Sequence, residues 1–239
     1  MFRGFLLSLL VCAALPAQSY VRPFSAGVTA RFFPIGIIEG TERTQIFSPQ
    51  IENRATGENK SNFYGFGVKF QAALPWRLAV VSGLTMNQIK FKHTVVGLIG
   101  TPNPNSAIET RRGYTTTENT SARYYDLPVL VRRFSKPHKE DGVRWFYEAG
   151  GTLRKVSNIR TSLEIDDNSR VTCCDESPAR PSRELLPGLT AGGGLYAKDD
   201  FGIRVVPEIR YTWWLGRTFS YLAAGSRRHQ LELLISLTF

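Results

Sequence analysis

The chain has 239 residues, 42% of them hydrophobic, with only three cysteines and a formal charge of +10. That apolar share excludes a disordered chain, the cysteine count excludes a disulfide framework, and the length suits one domain. A basic surplus points to nucleic acid or to an anionic surface, and the placement of the charges decides between them.

The N-terminus reads as a targeting segment. Arg3 supplies a positive charge, and Phe5–Ala14 is an apolar run of about ten residues, too short for a membrane helix. Ala17 and Ser19 then give the small-x-small pattern of a cleavage site. Residues 1–19 are expected to be a cleaved signal peptide, leaving 20–239 as one domain with a charge of +9 once Arg3 is gone. Cys12 follows Val11, where lipid attachment needs a small residue. Cys173 and Cys174 are adjacent, a spacing at which a mutual disulfide is strained. No histidine or further cysteine stands near them at ligand spacing, so neither a metal nor a cofactor is expected.

Beyond residue 19 no apolar run reaches the roughly 18–20 residues of a membrane helix. Two-residue alternation recurs instead, broken by Gly, Pro, Asn and Asp clusters. Eight strands are predicted: Phe24–Phe33, Phe63–Leu74, Arg77–Lys92, Arg123–Phe134, Val143–Lys155, Glu184–Tyr196, Phe201–Trp214 and Arg228–Phe239. Strands in soluble domains usually run about five or six residues, whereas tilted strands of about 9–11 cross a bilayer. The first sets Phe24, Ala26, Val28, Ala30 and Phe32 against Ser25, Gly27, Thr29 and Arg31. In the third, the apolar face switches at Ile89 and Phe91, for which a bulge is expected. Pro128 and Pro207 each remove a ladder donor, so local distortion is expected at both. The last sets Leu231, Leu233, Ile235, Leu237 and Phe239 against Gln230, Glu232, Leu234, Ser236 and Thr238.

The connections alternate in length. The long ones are 34–62, 93–122, 156–183 and 215–227; the short ones are Pro75–Trp76, Ser135–Gly142 and Ala197–Asp200. Outer-membrane barrels have long extracellular loops and short periplasmic turns. The pattern therefore predicts an all-β fold, an eight-stranded antiparallel up-and-down transmembrane barrel with long extracellular loops and both termini in the periplasm. Aromatic residues fall toward both ends, as interfacial girdles would. Phe24, Trp76, Phe134, Trp145, Tyr196, Phe201 and Phe239 fall at one end, and Phe33, Tyr64, Phe91, Tyr124, Tyr125, Trp213 and Trp214 at the other.

An eight-stranded barrel is only wide enough inside for side chains. The register predicts an interior charge network of Arg31, Lys69, Asp126, Arg132, Glu148, Arg204, Glu208, Arg210 and Glu232. Buried charges must pair, so a plugged lumen is expected. A second basic group falls at the outer rim: Lys90, Lys92, Arg123, Arg217, Arg227 and Arg228. These are candidate contacts to lipopolysaccharide phosphates, with solvated loop charge as the equal alternative.

Several segments resemble one family. YYDLPVLVRRF (124–134), WFYEAGGTL (145–153), PEIRYTWWL (207–215) and the terminal LLISLTF are similar, in order and spacing, to strands of the PorT-like outer-membrane β-barrel proteins. The resemblance implies the same barrel and carries proline at positions 128 and 207. It implies no biochemical activity, and the CCDES stretch at 173–177 has no counterpart in it.

The function expected is therefore non-enzymatic, a structural or surface-interaction barrel of the bacterial outer membrane. Its partners would be outer-membrane lipids and lipopolysaccharide, with the barrel-insertion machinery reading Phe239 as an assembly signal. Narrow porin-like passive transport is one alternative. An outer-membrane lipid-modifying enzyme is another, for which His93 or His229, the latter near Ser220 and Ser226, would have to serve. Nucleic acid is not an expected partner, because the surplus charge splits between lumen and rim.

Overall fold

The computed structural model describes residues 24–48, 50–101, 112–137, 142–167, 170–173, 181–198 and 203–239. The signal segment, His138, Cys174 and Phe201 lie outside them. Among the described residues thirteen strands form: β1 Phe24–Phe32, β2 Ile38–Gly40, β3 Glu42–Ser48, β4 Ile51–Asn59, β5 Tyr64–Leu74, β6 Leu78–Ile99, β7 Arg112–Phe134, β8 Arg144–Asp167, β9 Arg170–Cys173, β10 Leu185–Lys198, β11 Arg204–Trp214, β12 Ala224–Ser226 and β13 His229–Thr238.

Eight of them close a ring. β1 pairs with β5, β5 with β6, β6 with β7, β7 with β8, β8 with β10, β10 with β11, β11 with β13, and β13 returns to β1, every pair antiparallel. The fold is an eight-stranded up-and-down barrel. Closure satisfies the ladder without leaving a free edge in the wall.

Alternation sorts the side chains. On β13, Gln230, Glu232, Leu234, Ser236 and Thr238 are buried inward, while Leu233, Ile235 and Leu237 are exposed outward. On β5, Tyr64, Phe66, Val68 and Phe70 face out while Lys69 and Gln71 face in. From Tyr64 to Leu74 the outward face covers ten strand steps, about 33 Å of chain, or about 25 Å of height at barrel tilt. On β7 the same band is bracketed by charge. Arg133 and Arg123 stand outside at its two edges, with Leu127, Val129 and Val131 exposed between them.

At the end with the short turns, Trp76 and Arg77 take left-handed conformations (φ 62° and 68°), and the Leu78 amide donates to the Pro75 carbonyl at 3.3 Å. This is the geometry of a two-residue hairpin whose turn matches the strand twist. It is centred one residue later than the expected Pro75–Trp76. Phe239 lies at this end as well, its amide donating to the Ala26 carbonyl at 2.9 Å.

The opposite end differs from expectation. All four stretches read as long loops contain regular structure. β6, β7 and β8 run on past the band for about another nine to eleven residues each. The hairpin β3–β4 takes over from β5 as the partner of β6, from Asn59↔Phe91 to Ile51↔Ile99. β9 adds to the far side of β8. A raised sheet of β3, β4, β6, β7, β8 and β9 therefore stands on one wall of the barrel.

The expected bulge in the third strand is absent. The β6–β7 ladder holds a single register throughout, and Ile89 and Phe91 stay on the inward face. The apolar residues appear there because the interior itself becomes apolar at that level. The bulge lies in β8 instead, opposite Ala122, where Asn158 has a φ of 56° and the β7–β8 register shifts between Ser121 and Arg123. At Pro128 and Pro207 the ladder is interrupted on one side, between Ser82 and Thr85 of β6 and between Gly194 and Ala197 of β10. Neither interruption changes the register, so the missing donor is absorbed locally.

Candidate functional site

The lumen is filled by two tiers of charge. In the upper tier Asp126 accepts from Arg31 at 2.7 Å and from Arg154 Nε and Nη2 at 2.7 and 2.9 Å. Arg154 also donates to Gln230, which donates to Glu232, and Glu232 lies 3.8 Å from Arg31. In the lower tier Lys69 pairs with Glu208, Arg210 bridges Glu208 at 2.8 Å and Glu148 at 2.6 Å, and Arg132 donates twice to Glu148 at 3.0 and 2.7 Å. Charges this deeply buried are tolerable because each faces an opposite charge with hydrogen-bond geometry.

Eight of the nine residues expected in this network meet there. The ninth, Arg204, lies partly buried at the short-turn rim and makes no ion pair among the described residues. Arg154 takes its place. It shares the inward parity of Glu148 on the same strand, so the register that found one also contained the other. Gln71 and Gln230 were missed for a different reason: an uncharged amide looks unremarkable until its charged partner is known.

Each end of the lumen is shut by aromatic side chains. Near the short turns, Phe134, Phe146 and Tyr196 pack together with Ala79 and Val206, and the guanidinium of Arg132 lies 3.7 Å from the Phe146 ring centre. At the other end, Phe33, Ile37, Ile38, Ile89, Phe91, Ala122, Tyr124, Val156, Phe219 and Ala224 form an apolar plug. Phe219 is fully buried and reaches the plug from segment 215–227, which folds over the mouth. β12 within that segment pairs with β2, and the carbonyl of Ala223 accepts from the Thr41 amide at 2.8 Å.

These contacts correct the girdle expectation. Phe33, Phe91, Tyr124, Trp214, Phe134 and Tyr196 point inward and are buried. Phe24, Trp76, Trp145, Phe239, Tyr64 and Trp213 are the expected girdle residues that face outward and are exposed. The alternation of the strands decides which is which, and closeness to a strand end does not.

Just above the plug, His93 lies opposite Glu118 in the ladder and 5.4 Å from the Tyr221 ring. Tyr221 and Thr120 both donate to Glu118 Oε1 at 3.2 Å. Burial holds His93 below the ordinary histidine value, with Glu118 partly offsetting it. Burial and then Glu118 push the Tyr221 hydroxyl upward, so it stays a donor. His229 is on the outer face, its Nδ1 2.5 Å from the Tyr211 hydroxyl. The Ser226 hydroxyl is buried and accepts from the amides of Thr218 at 2.7 Å and Phe219 at 3.2 Å. The structure thus gives His229 a tyrosine partner and occupies Ser226 in holding the lid segment.

The six rim cations do not form one group. Lys90, Lys92 and Arg123 stand on β6 and β7, while Arg217, Arg227 and Arg228 stand over β11 and β13, three or four strands away around the ring. Arg217 lies 3.7 Å from Glu39, and Arg228 Nε donates to the Trp214 carbonyl at 3.5 Å. On the first side there is a groove of about 340 Å³ in the outer wall, lined by Lys60, Lys90, Asn119, Ser121, Arg160 and Ser162, with Phe91, Thr120 and Thr161 behind them. Lys60 and Arg160 were not anticipated. Lys60 belongs to a segment read as loop, and Arg160 faces outward only because the β8 bulge shifts the alternation by one residue.

No family model matches the chain, and no curated protein matches it by sequence. The PorT-like resemblance therefore stands on its motifs alone. Among solved structures the chain is similar to Ail, the attachment invasion locus protein of Yersinia pestis, at 7% identity and a TM-score of 0.32, covering 90% of this chain and 98% of that one. It is similar to the same protein in complex with the heparin analogue sucrose octasulfate, at 8% identity and 0.35, covering 90% and 99%. LpxR from Salmonella typhimurium is similar at 8% identity and 0.31, with the same coverage. At these values no property of either protein is carried over.

Proposed function

We propose that this chain is a bacterial outer-membrane barrel of the PorT-like kind, whose closed lumen holds the wall together and whose working surface is the raised sheet. The observation that carries this reading is the outer wall itself. A continuous belt of exposed Phe, Val, Leu, Ile and Trp about 25 Å tall matches the apolar band of a membrane barrel, and water would not leave such a belt uncovered. The end with the short turns would face the periplasm, and the raised sheet would face outward.

The role is non-enzymatic and non-conducting. Two tiers of paired charge between two aromatic closures leave the lumen occupied by side chains. The raised sheet offers a partner Ile46, Phe47, Ile51 and Ile99, all exposed. Loops and extensions on a rigid scaffold are the usual place for recognition. Outer-membrane fractionation combined with a heat-modifiability gel tests the placement: the unboiled protein should migrate differently from the boiled one and sediment with the outer membrane. Recovery as a soluble periplasmic protein would overturn it. Sustained channels of large conductance in planar bilayers would overturn the closed lumen.

A further inference from the structure

Four residues form one row on the outer wall, three of them on β6, β7 and β8 and the fourth, Lys60, just past the end of β4. Lys90 is directly opposite Ser121, and Ser121 is directly opposite Arg160. Lys60 adjoins Lys90 on the other side, its amide donating to the Lys90 carbonyl at 2.8 Å. Ser61 fixes this junction, because its hydroxyl donates to the Lys90 carbonyl at 3.0 Å and accepts from the Lys90 amide at 3.1 Å. Directly opposed residues on one face have Cβ atoms about 5 Å apart, so the three cations converge over a hydroxyl.

The row has no carboxylate of its own. Glu58 lies 3.6 Å from Lys60, with both side chains more than half exposed. Lys90 and Arg160 make no ion pair among the described residues. Like charges close together on a sheet repel one another, and with Lys90 and Arg160 unpaired in this way the row favours an anion above it. Asn119 and Ser162, the next outward residues on β7 and β8, add neutral donors to the groove.

The height of the row identifies the anion. Below it on the same strands stand Gln88, Arg123 and Ser157, and below those Met86, Tyr125 and Lys155 at the upper edge of the apolar belt. The row is thus two strand steps, about 7 Å of chain, above Arg123. That is headgroup height in the leaflet facing the raised sheet. We propose that the row Lys60, Lys90, Ser121 and Arg160 binds the phosphate monoester of an outer-leaflet glycolipid. The chemistry is charge-assisted hydrogen bonding of guanidinium and ammonium to phosphate oxygens. The inference rests on the outer-membrane reading above and narrows the expected lipopolysaccharide contacts to one side of the barrel.

The test uses the purified, heat-modifiable full chain in zwitterionic detergent micelles. The probes are bisphosphorylated lipid A, the same lipid stripped of phosphate, and inorganic phosphate. Bisphosphorylated lipid A should bind, and the stripped lipid should bind at least tenfold more weakly. Lys90→Gln with Arg160→Gln should weaken binding of the phosphorylated lipid by about tenfold for each cation removed. Arg228→Gln, on the far side of the ring, should leave it unchanged. Equal binding of the stripped lipid, or no change in the double variant while it stays heat-modifiable, would overturn the site. Saturation by inorganic phosphate at the same concentration as the lipid would reassign it to a soluble phosphate and overturn the lipid source. Failure of the membrane reading itself would show separately, as loss of heat-modifiability in the unaltered protein.

Discussion

Asp126→Asn is the sharpest test of the lumen. The change is nearly isosteric and removes one negative charge. In the unaltered protein Asp126 accepts three hydrogen bonds from Arg31 and Arg154, all between 2.7 and 2.9 Å, with both guanidiniums buried. After substitution the nearest remaining carboxylate is Glu232, 3.8 Å from Arg31. Removing one partner of a buried ion pair costs about 3–5 kcal/mol, because the other charge is left in a medium that solvates it poorly. Glu58→Gln, which removes the exposed partner of Lys60, should cost less than about 1 kcal/mol. The measurement is urea unfolding in detergent micelles, followed by the folded band on a gel. At a slope of roughly 2 kcal/mol per molar urea, Asp126→Asn should lower the midpoint by about 1.5–2.5 M. Adding Arg154→Met should restore part of the loss, since it removes a stranded charge, and a double-mutant cycle would read that coupling. A midpoint shift below about 0.5 M for Asp126→Asn would refute the view that paired charge holds the wall.

Other outcomes follow from the mouth of the barrel. Phe219→Ala should remove about 3–5 kcal/mol of local packing, enough to release the lid segment without unfolding the wall, read as trypsin cleavage near Arg217 or Arg227 in a protein that stays heat-modifiable. Gly57→Val should do the same, because a Cβ at Gly57 would fall 2.0 Å from the Ala223 carbonyl oxygen, a backbone atom with nowhere to move while β12 is docked. His93 gives the closure a pH dependence. Its folded value lies below the unfolded value of about 6.5, so its contribution is present above that pH and is lost as pH falls through the lower folded value. The protection of the Tyr221 amide, whose N–H donates to the Ala224 carbonyl at 2.7 Å, should therefore fall on acidification once the intrinsic slowing of exchange is divided out, and His93→Gln should abolish that fall.

The barrel was legible because its period is the simplest one a chain can carry. Two-residue alternation placed all eight wall strands, and at the end with the short turns all eight predicted limits fell within three residues of the observed ones. What escaped lies above the belt. There neither face of the sheet is buried against a core, so β3, with almost every residue exposed, shows no alternation to read. The same loss of contrast hid the upward extensions of β7 and β8, whose Thr, Asn and Ser residues look like loop. Ile89 and Phe91 misled for the opposite reason: an apolar residue on the inward face imitates a register slip when the apolar lid of Phe219 is not yet known. Arg160 needed the bulge, and nothing in its own neighbourhood of sequence announces an extra residue against Ala122.

β6 and β7 share one unshifted ladder from Leu78↔Arg133 to Ile99↔Arg112. Twenty-two residues of β6 span about 70 Å, so a single ribbon joins the short turn at Trp76 and Arg77 to the top of the raised sheet. There is no linker along it in which a bend could concentrate. A tug on the raised sheet along the strand direction would reach the wall as shear spread over the whole ladder, and separating the strands would require many hydrogen bonds to fail together. A tether built in this way would resist force best along its length and least when peeled sideways from the β3 edge. Pulling geometry would then set how long a surface contact survives, independently of how tightly it binds at rest.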